Sequence, residues 1–248
     1  MDSGVVVLLD ALGTERIYEI EPRSQIAKRW NDIDRLFGQF VKILSKKLKN
    51  SGYPSNIRIQ RPYDNFQIFV PVGSASTNGA IDMSGTNHIW WTVTELGELL
   101  IPLFRKALAN RIFLRGCVCQ GQYFYTSKRT FGYRIDEAAK NYEVTEWLGI
   151  IAAYSSNLVL NVASQSTMSK IFNYFVEYGV RMKDGNTKKL FVLDWTKNIQ
   201  NMYDNYQVDD EIILNVIKTE ISNAKCDSVR NKWQNTLNFY NSFHTRRF

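Results

Sequence analysis

The chain has 248 residues, 44% of them hydrophobic, which suits one compact domain with an elaboration or two small domains. A net charge of +7 and a pI near 9.2 fit an acidic ligand such as a nucleotide, but the charge is too mild and scattered for a nucleic-acid groove. Three cysteines are too few for a disulfide framework, two histidines supply histidine-based metal sites poorly, and no apolar run reaches membrane-spanning length, so a soluble cytoplasmic protein is expected.

Val5 to Leu9 are apolar without a break and predict a strand buried on both faces. The strand is expected to end on Asp10, with Ala11-Leu12-Gly13-Thr14 turning the chain. A carboxylate at that place costs free energy unless a cation neutralises it. The small residues after it let backbone N–H groups approach an anion. A metal-holding carboxylate with a phosphate on the turn is one reading, and an ordinary strand end is the other.

Ile26, Trp30, Ile33, Phe37, Phe40, Leu44 and Leu48 recur at helical spacing, with Lys28, Arg29, Asp32, Lys42 and Lys46 on the wet side. Gly52, Tyr53 and Pro54 stop this helix. Ile57, Ile59, Phe66, Ile68 and Val70 then alternate with polar residues, which predicts a β-hairpin whose turn carries Asp64. Residues 73–88 read as a surface loop, and Thr92 with Glu95 as a capping box opening the next helix. Ile112 to Tyr125 is strand-like, and its Cys117-Val118-Cys119 reads as strand residues sharing a face. A helix is expected from near Arg134 through Glu143, then a buried segment over Leu148–Ala153. Asp184-Gly185-Asn186 marks a second hairpin. Helical spacing returns in the tail at Ile213, Val216, Ile217 and Ile221, and again at Val229, Trp233, Leu237 and Tyr240, with a break near Asp227-Ser228.

Strand, helix, hairpin, helix, strand is the order of a ferredoxin-like, split βαβ sheet, so the class is α+β, with helices on one face and a C-terminal hairpin and helical extension. In that topology Asp10 and Asp64 fall at neighbouring strand ends, close enough to share metal ions. Without a cation they are a cost to folding.

Asp10-Ala11-Leu12-Gly13-Thr14 resembles the Asp-Ile-x-Gly-Phe-Thr metal motif of class III nucleotidyl cyclases. Asp64 falls where those enzymes place a second metal carboxylate. Leu114-Arg115-Gly116 through Gly121 is similar to their glycine-containing strand, and Phe131 to Lys140 to their Gly-x-x-Val-Asn-x-Ala-x-Arg segment. With Glu143, Trp147 and Gly149 following, the variant pattern is most like the bacterial pyrimidine cyclases of Pycsar antiphage defence. The likeness covers roughly residues 4–150; a catalytic domain over 1–200 and a helical extension over 201–248 are expected.

The resemblance implies two Mg²⁺ or Mn²⁺ ions on Asp10 and Asp64, and phosphates on the Leu12, Gly13 and Thr14 amides. Asp136 stands where an Asn usually orients the ribose, and Lys140 where an Arg steadies transition-state charge; Lys supplies charge but no bidentate fork. Helix capping is the alternative role of Asp136. Arg115 offers more phosphate charge, or is a solvated strand residue. Gln60 and Arg129 occupy the base-reading positions, and their donors suit uracil carbonyls, which favours UTP over CTP and a pyrimidine over ATP. A homodimer with shared sites is implied, its cyclic nucleotide passing to a separate effector without nucleic-acid or membrane partners. A purine cyclase and a catalytically silent nucleotide-binding domain are the alternatives.

Overall fold

The apolar run forms the middle of strand β1 (Asp2–Leu12), and Val5 to Leu9 are all buried. The computed structural model describes residues 2–12, 22–50, 52, 56–61, 65–72, 83–126, 130–156, 174–197, 199 and 207–244. β1 does not end on Asp10: Ala11 and Leu12 continue it, paired with Leu114 and Phe113 of a partner strand long enough to extend the ladder.

Helix α1 (Arg23–Asn50) buries the predicted apolar stripe, Ile26, Ile33, Phe37, Phe40, Leu44 and Leu48, together with Leu36. Strands β2 (Arg58–Gln60) and β3 (Asn65–Pro71) are the two arms of the predicted hairpin. Helix α2 (Met83–Ala109) starts well before Thr92, inside the stretch read as loop. Thr92 is therefore no cap; it is fully buried, and Glu95 is taken by Lys47 of α1 at 2.5 Å. Packing of the apolar face overrides the weak local signal of Ser84 to Asn87. Residues 73–82 lie outside the described residues.

Strand β4 (Phe113–Tyr125) returns beside β1, and the short β5 (Thr130–Phe131) pairs with its far end. Gly132 has a φ of 151°, and a side chain there would press on the Tyr123 backbone at 3.1 Å, so glycine lets the chain pass close to β4 and enter helix α3 (Tyr133–Glu143). Strand β6 (Ile150–Ala152) runs parallel to β4 and settles the undecided buried segment. β7 (Phe175–Arg181) and β8 (Thr187–Leu193) form the second hairpin, whose Asp184 carboxylate accepts from the Asn186 N–H at 2.9 Å. Helices α4 (Asp210–Ser222) and α5 (Asp227–His244) divide at Asp227 as expected.

The strands lie in the order β2-β3-β1-β4-β6-β8-β7. The first four form the ferredoxin-like core, every neighbour antiparallel and β1 central. Alternation along β1 assigns the layers. Leu9 pairs with Phe66, and Phe66 stacks on Phe37 of α1 at 4.2 Å, so Val5, Val7 and Leu9 face the layer of α1 and α2. Val6, Leu8 and Asp10 face the other way, where α3 adds a cover: the thiol of Cys119, opposite Val6, donates to the Arg134 carbonyl at 2.9 Å.

The C-terminal helices are anchored by buried polar contacts as well as by apolar packing. Arg105 of α2 donates to the Thr196 and Val208 carbonyls at 3.1 and 2.6 Å and to Asp210 at 2.7 Å. The Thr236 hydroxyl accepts from the Leu148 N–H at 3.0 Å, and Trp233, Phe239 and Tyr240 join the common core.

Candidate active site

Strand register gathers polar side chains on the α3 side of the sheet. Asp10 pairs with Asn65 on one side and Arg115 on the other; one rung inward, Leu8 pairs with Gln67 and Cys117, and Gln67 pairs with Gln60. Cross-strand partners share a face, so Asp10, Asn65, Arg115, Gln67 and Gln60 form one patch.

The cation that Asp10 requires comes from its own chain. Arg115 brings Nε and Nη2 to 2.8 Å from Oδ2 of Asp10, and the two side chains are only 14% and 15% exposed. Its guanidinium also lies 5.1 Å from the Tyr142 ring centre, on α3. Arg115 is thus neither a solvated strand residue nor a free phosphate ligand. Oδ1 of Asp10 accepts no hydrogen bond among the described residues.

Gln60 is tied into a small network. Its Nε2 donates to the Thr126 carbonyl at 3.2 Å, while the Thr130 hydroxyl lies 2.8 Å from both Gln60 Oε1 and Gln67 Oε1. One hydroxyl proton serves one of those oxygens at a time; a half-turn of the Gln67 amide would let it donate to Thr130 instead. Gln60 is therefore already oriented by Thr126 and Thr130, just past the end of β4 and on β5. Gln67 follows Asn65 on the same face by strand alternation, so sequence period could have found it; no local signal announced Thr130.

Asp136 and Lys140 are exposed on α3 and lie one helical turn apart. Ala138 and Tyr142, which are buried, follow Asp136 and Lys140 by two residues each and turn toward the sheet. At about 100° per residue, the two pairs sit on opposite sides of the helix. A single chain thus does not bring Asp136 and Lys140 onto Asp10. The alternative role of Asp136 is not observed: Gly132 is the N-cap, and no side chain caps the helix. Gly13, Thr14, Asp64 and Arg129 lie outside the described residues, while Leu12 is the last residue of β1 rather than part of a turn.

Near the same end of α3, Phe124 and Phe131 stack at 5.0 Å and remain 39% and 54% exposed, and Tyr133 and Tyr154 are more exposed still. Burial pushes the thiols of Cys117 and Cys119 upward, with neighbouring charge on Glu137 adding to it, so both stay protonated as ordinary core residues.

No protein-family model matches the chain, and no curated protein matches it. Among solved structures, it is similar to the adenylyl cyclase CyaB from P. aeruginosa at 12% identity and a TM-score of 0.43, over 77% of this chain and 93% of that one. It is also similar to a bacterial light-regulated adenylyl cyclase, at 12% identity and a TM-score of 0.42, over 88% and 97% of the two chains. A third is the guanylate cyclase domain of RhGC from Catenaria anguillulae in complex with GTP, at 12% identity and a TM-score of 0.41, over 77% and 96%.

Carboxylate oxygen is the donor that Mg²⁺ and Mn²⁺ prefer, and Oδ1 of Asp10 is such a donor. Asn65, which pairs with Asp10, follows Asp64 directly in sequence. Among the described residues no group of three or more His, Cys, Asp or Glu could hold a metal ion by itself. By its chemistry Oδ1 of Asp10 suits a hard divalent cation as one ligand, the remaining ones coming from phosphate, water or other residues.

Proposed function

We propose that the chain is a nucleotide cyclase, converting a pyrimidine nucleoside triphosphate, UTP in preference to CTP, to its 3′,5′-cyclic monophosphate and pyrophosphate. The observation that carries this is the pairing of Asp10 with Asn65 and Arg115 on the face that also holds Gln60 and Gln67. It gives a carboxylate for the phosphate end of a nucleotide and amides for its base end, on one surface.

The ribose 3′-oxygen bonds to the α-phosphorus as the bond to the pyrophosphate oxygen breaks, and the hydroxyl proton leaves to Asp136 or water. Mg²⁺ or Mn²⁺ held by Asp10 and Asp64 would supply charge neutralisation for the triphosphate. Lys140 places positive charge where negative charge grows on the α-phosphate. Arg129 and Gln60 donate to the base carbonyls, and the backbone from Leu12 through Gly13 and Thr14 receives phosphate oxygens.

Asp136 and Lys140 face away from Asp10, which supports a site completed by a second copy. The exposed rings of Phe124, Phe131, Tyr133 and Tyr154 supply an apolar surface for that copy. The product would act as a second messenger in antiphage defence through a separate effector. Incubation with each of the four NTPs and Mg²⁺ or Mn²⁺, with products identified by mass, tests the reading. A cyclic pyrimidine nucleotide is expected; cAMP or cGMP alone would replace the substrate, and NTP binding without pyrophosphate release would leave a silent nucleotide-binding domain.

A further inference from the structure

Helix α5 reaches the same patch from the far end of the chain. Phe113 is the neighbour of Arg115 on the α3 side of β4, and the Trp233 ring meets it edge-on at 4.7 Å. Lys232 precedes Trp233 and lies on the same flank of α5 as Asn235 and Thr236, which bond the Glu146 carbonyl at 2.8 Å and the Leu148 N–H at 3.0 Å. That seating docks α5 against the start of β4, and Lys232 is half-buried beside it. Lys183 arrives by another route: its N–H donates to the Val144 carbonyl at 2.9 Å, while the Glu146 N–H donates to the Arg181 carbonyl at 2.8 Å.

Lys232 on α5 therefore feels the positive charges of Arg115 on β4 and of Lys183 in the β7–β8 turn, with Glu146 and Asp10 acting on it with the opposite sign. Asp10 is already engaged by Arg115, and no carboxylate among the described residues pairs with Lys232. Burial holds the ammonium of Lys232 below the usual lysine range, and repulsion from Arg115 and then Lys183 adds to it. Folding alone does not favour a half-buried lysine beside two like charges. A multiply charged anion reverses that balance.

We propose that Lys232, with Lys183, forms a polyphosphate-binding wall beside the Asp10–Arg115 pair, so that the C-terminal helix supplies part of the triphosphate site. This deepens the cyclase reading and rests on it for the identity of the anion as the triphosphate of the substrate or the released pyrophosphate. Lys232 is a binding residue here, with no assigned part in bond-making.

The test uses the full chain and inorganic tripolyphosphate, which has neither base nor ribose. Affinity is measured by calorimetry and by the rise in melting temperature for the parent, Lys232→Met, Lys183→Met and Lys232→Arg. Loss of one charged contact should weaken tripolyphosphate binding roughly tenfold or more in Lys232→Met, less in Lys183→Met, whose lysine is exposed, and little in Lys232→Arg. Lys232→Met should also melt no lower than the parent without the anion, which separates lost binding from lost folding. Equal tripolyphosphate binding by the parent and Lys232→Met would overturn the proposal, as would no binding by the parent. The cyclase reading is judged separately by NTP turnover. A chain that binds tripolyphosphate through Lys232 but turns over no NTP keeps the wall and loses the enzyme; normal turnover and KM in Lys232→Met keep the enzyme and lose the wall.

Discussion

The two faces of β1 are built from the same run of residues and end differently. Val5, Val7 and Leu9 stay apolar to the end and lock onto Phe66, Phe37 and the long helices. Val6 and Leu8 are equally buried, but the next residue on their face is Asp10, and the patch around it turns polar. The dry face holds the sheet together and accepts almost any well-packed apolar set. The other has one charge to satisfy and satisfies it with Arg115, so its composition answers to a ligand as well as to folding. The lesson is that position on a strand, more than burial of the strand, decides where chemistry can sit.

The largest separation of the two faces should come from the carboxylates. Asp10→Asn and Asp64→Asn should each abolish cyclic nucleotide formation, measured by product mass, and near-normal activity in either would remove the metal-carboxylate reading. For Asp10, the effect on stability should differ from the expectation that a lone carboxylate burdens the fold. Asp10 is partnered, so Asp10→Ala leaves a poorly exposed Arg115 without its carboxylate and should lower the unfolding free energy by about 1–3 kcal/mol, read by urea denaturation.

On the dry face the pattern should invert. Phe66→Ala removes a fully buried ring stacked on Phe37 and should cost about 3–5 kcal/mol, while any folded fraction keeps the parent KM. A drop in KM-linked affinity equal to that of the polar-face variants would erase the contrast between the faces.

A subtler break concerns the base end of the polar face. Arg129→Ala should lose roughly ten- to a hundredfold in kcat/KM for the preferred NTP and less for the poor ones, flattening selectivity. An equal loss for all four NTPs would move Arg129 to the phosphates. Mixing inactive Asp10→Asn and Lys140→Ala chains should restore part of the activity, because some mixed dimers hold one intact site; no recovery after verified subunit exchange would confine the site to one chain.

The smallest effect is on the pH profile. The folded-state pKa of Lys232 lies below its unfolded value, so the unfolded chain binds the extra proton and parent stability rises as pH climbs from the folded toward the unfolded pKa. Lys232→Met should lack that alkaline rise. Identical profiles in chemical denaturation would show that the lysine is not held against its charge.

Much of this architecture can be read from the chain because it rests on local periodicity. The seven-residue apolar stripe of α1, the Asp184-Gly185-Asn186 turn and the break at Asp227 each declare themselves within a few neighbours. The start of α2 does not: Ser84 to Asn87 read as loop and are drawn into a helix by the apolar residues that follow. At the site, the need of Asp10 for a cation was legible, but Arg115 as that cation depends on register across β1 and β4. Lys232 was less legible still. Its meaning depends on how α5 docks, and helical spacing says which side of α5 is apolar without saying what it covers.

The rung between Asp10 and Arg115 has a further consequence for how the chain finds its fold. β1 is made first but must wait for β4: Leu12 pairs with Phe113 and Asp2 with Tyr123, across on the order of a hundred residues of intervening chain, a non-local closure of the kind that slows folding. Until then the edge of β1 that will meet β4 stays open, and several slipped alignments against β4 would bury nearly as much. A slip by one residue, however, moves Arg115 to the opposite face, into the apolar layer of α1 and α2, and strands Asp10 under α3. The charge pair acts as a proofreading mark on the central pairing, and a refolding study of Arg115→Leu should find more misregistered, aggregation-prone intermediates than the parent gives.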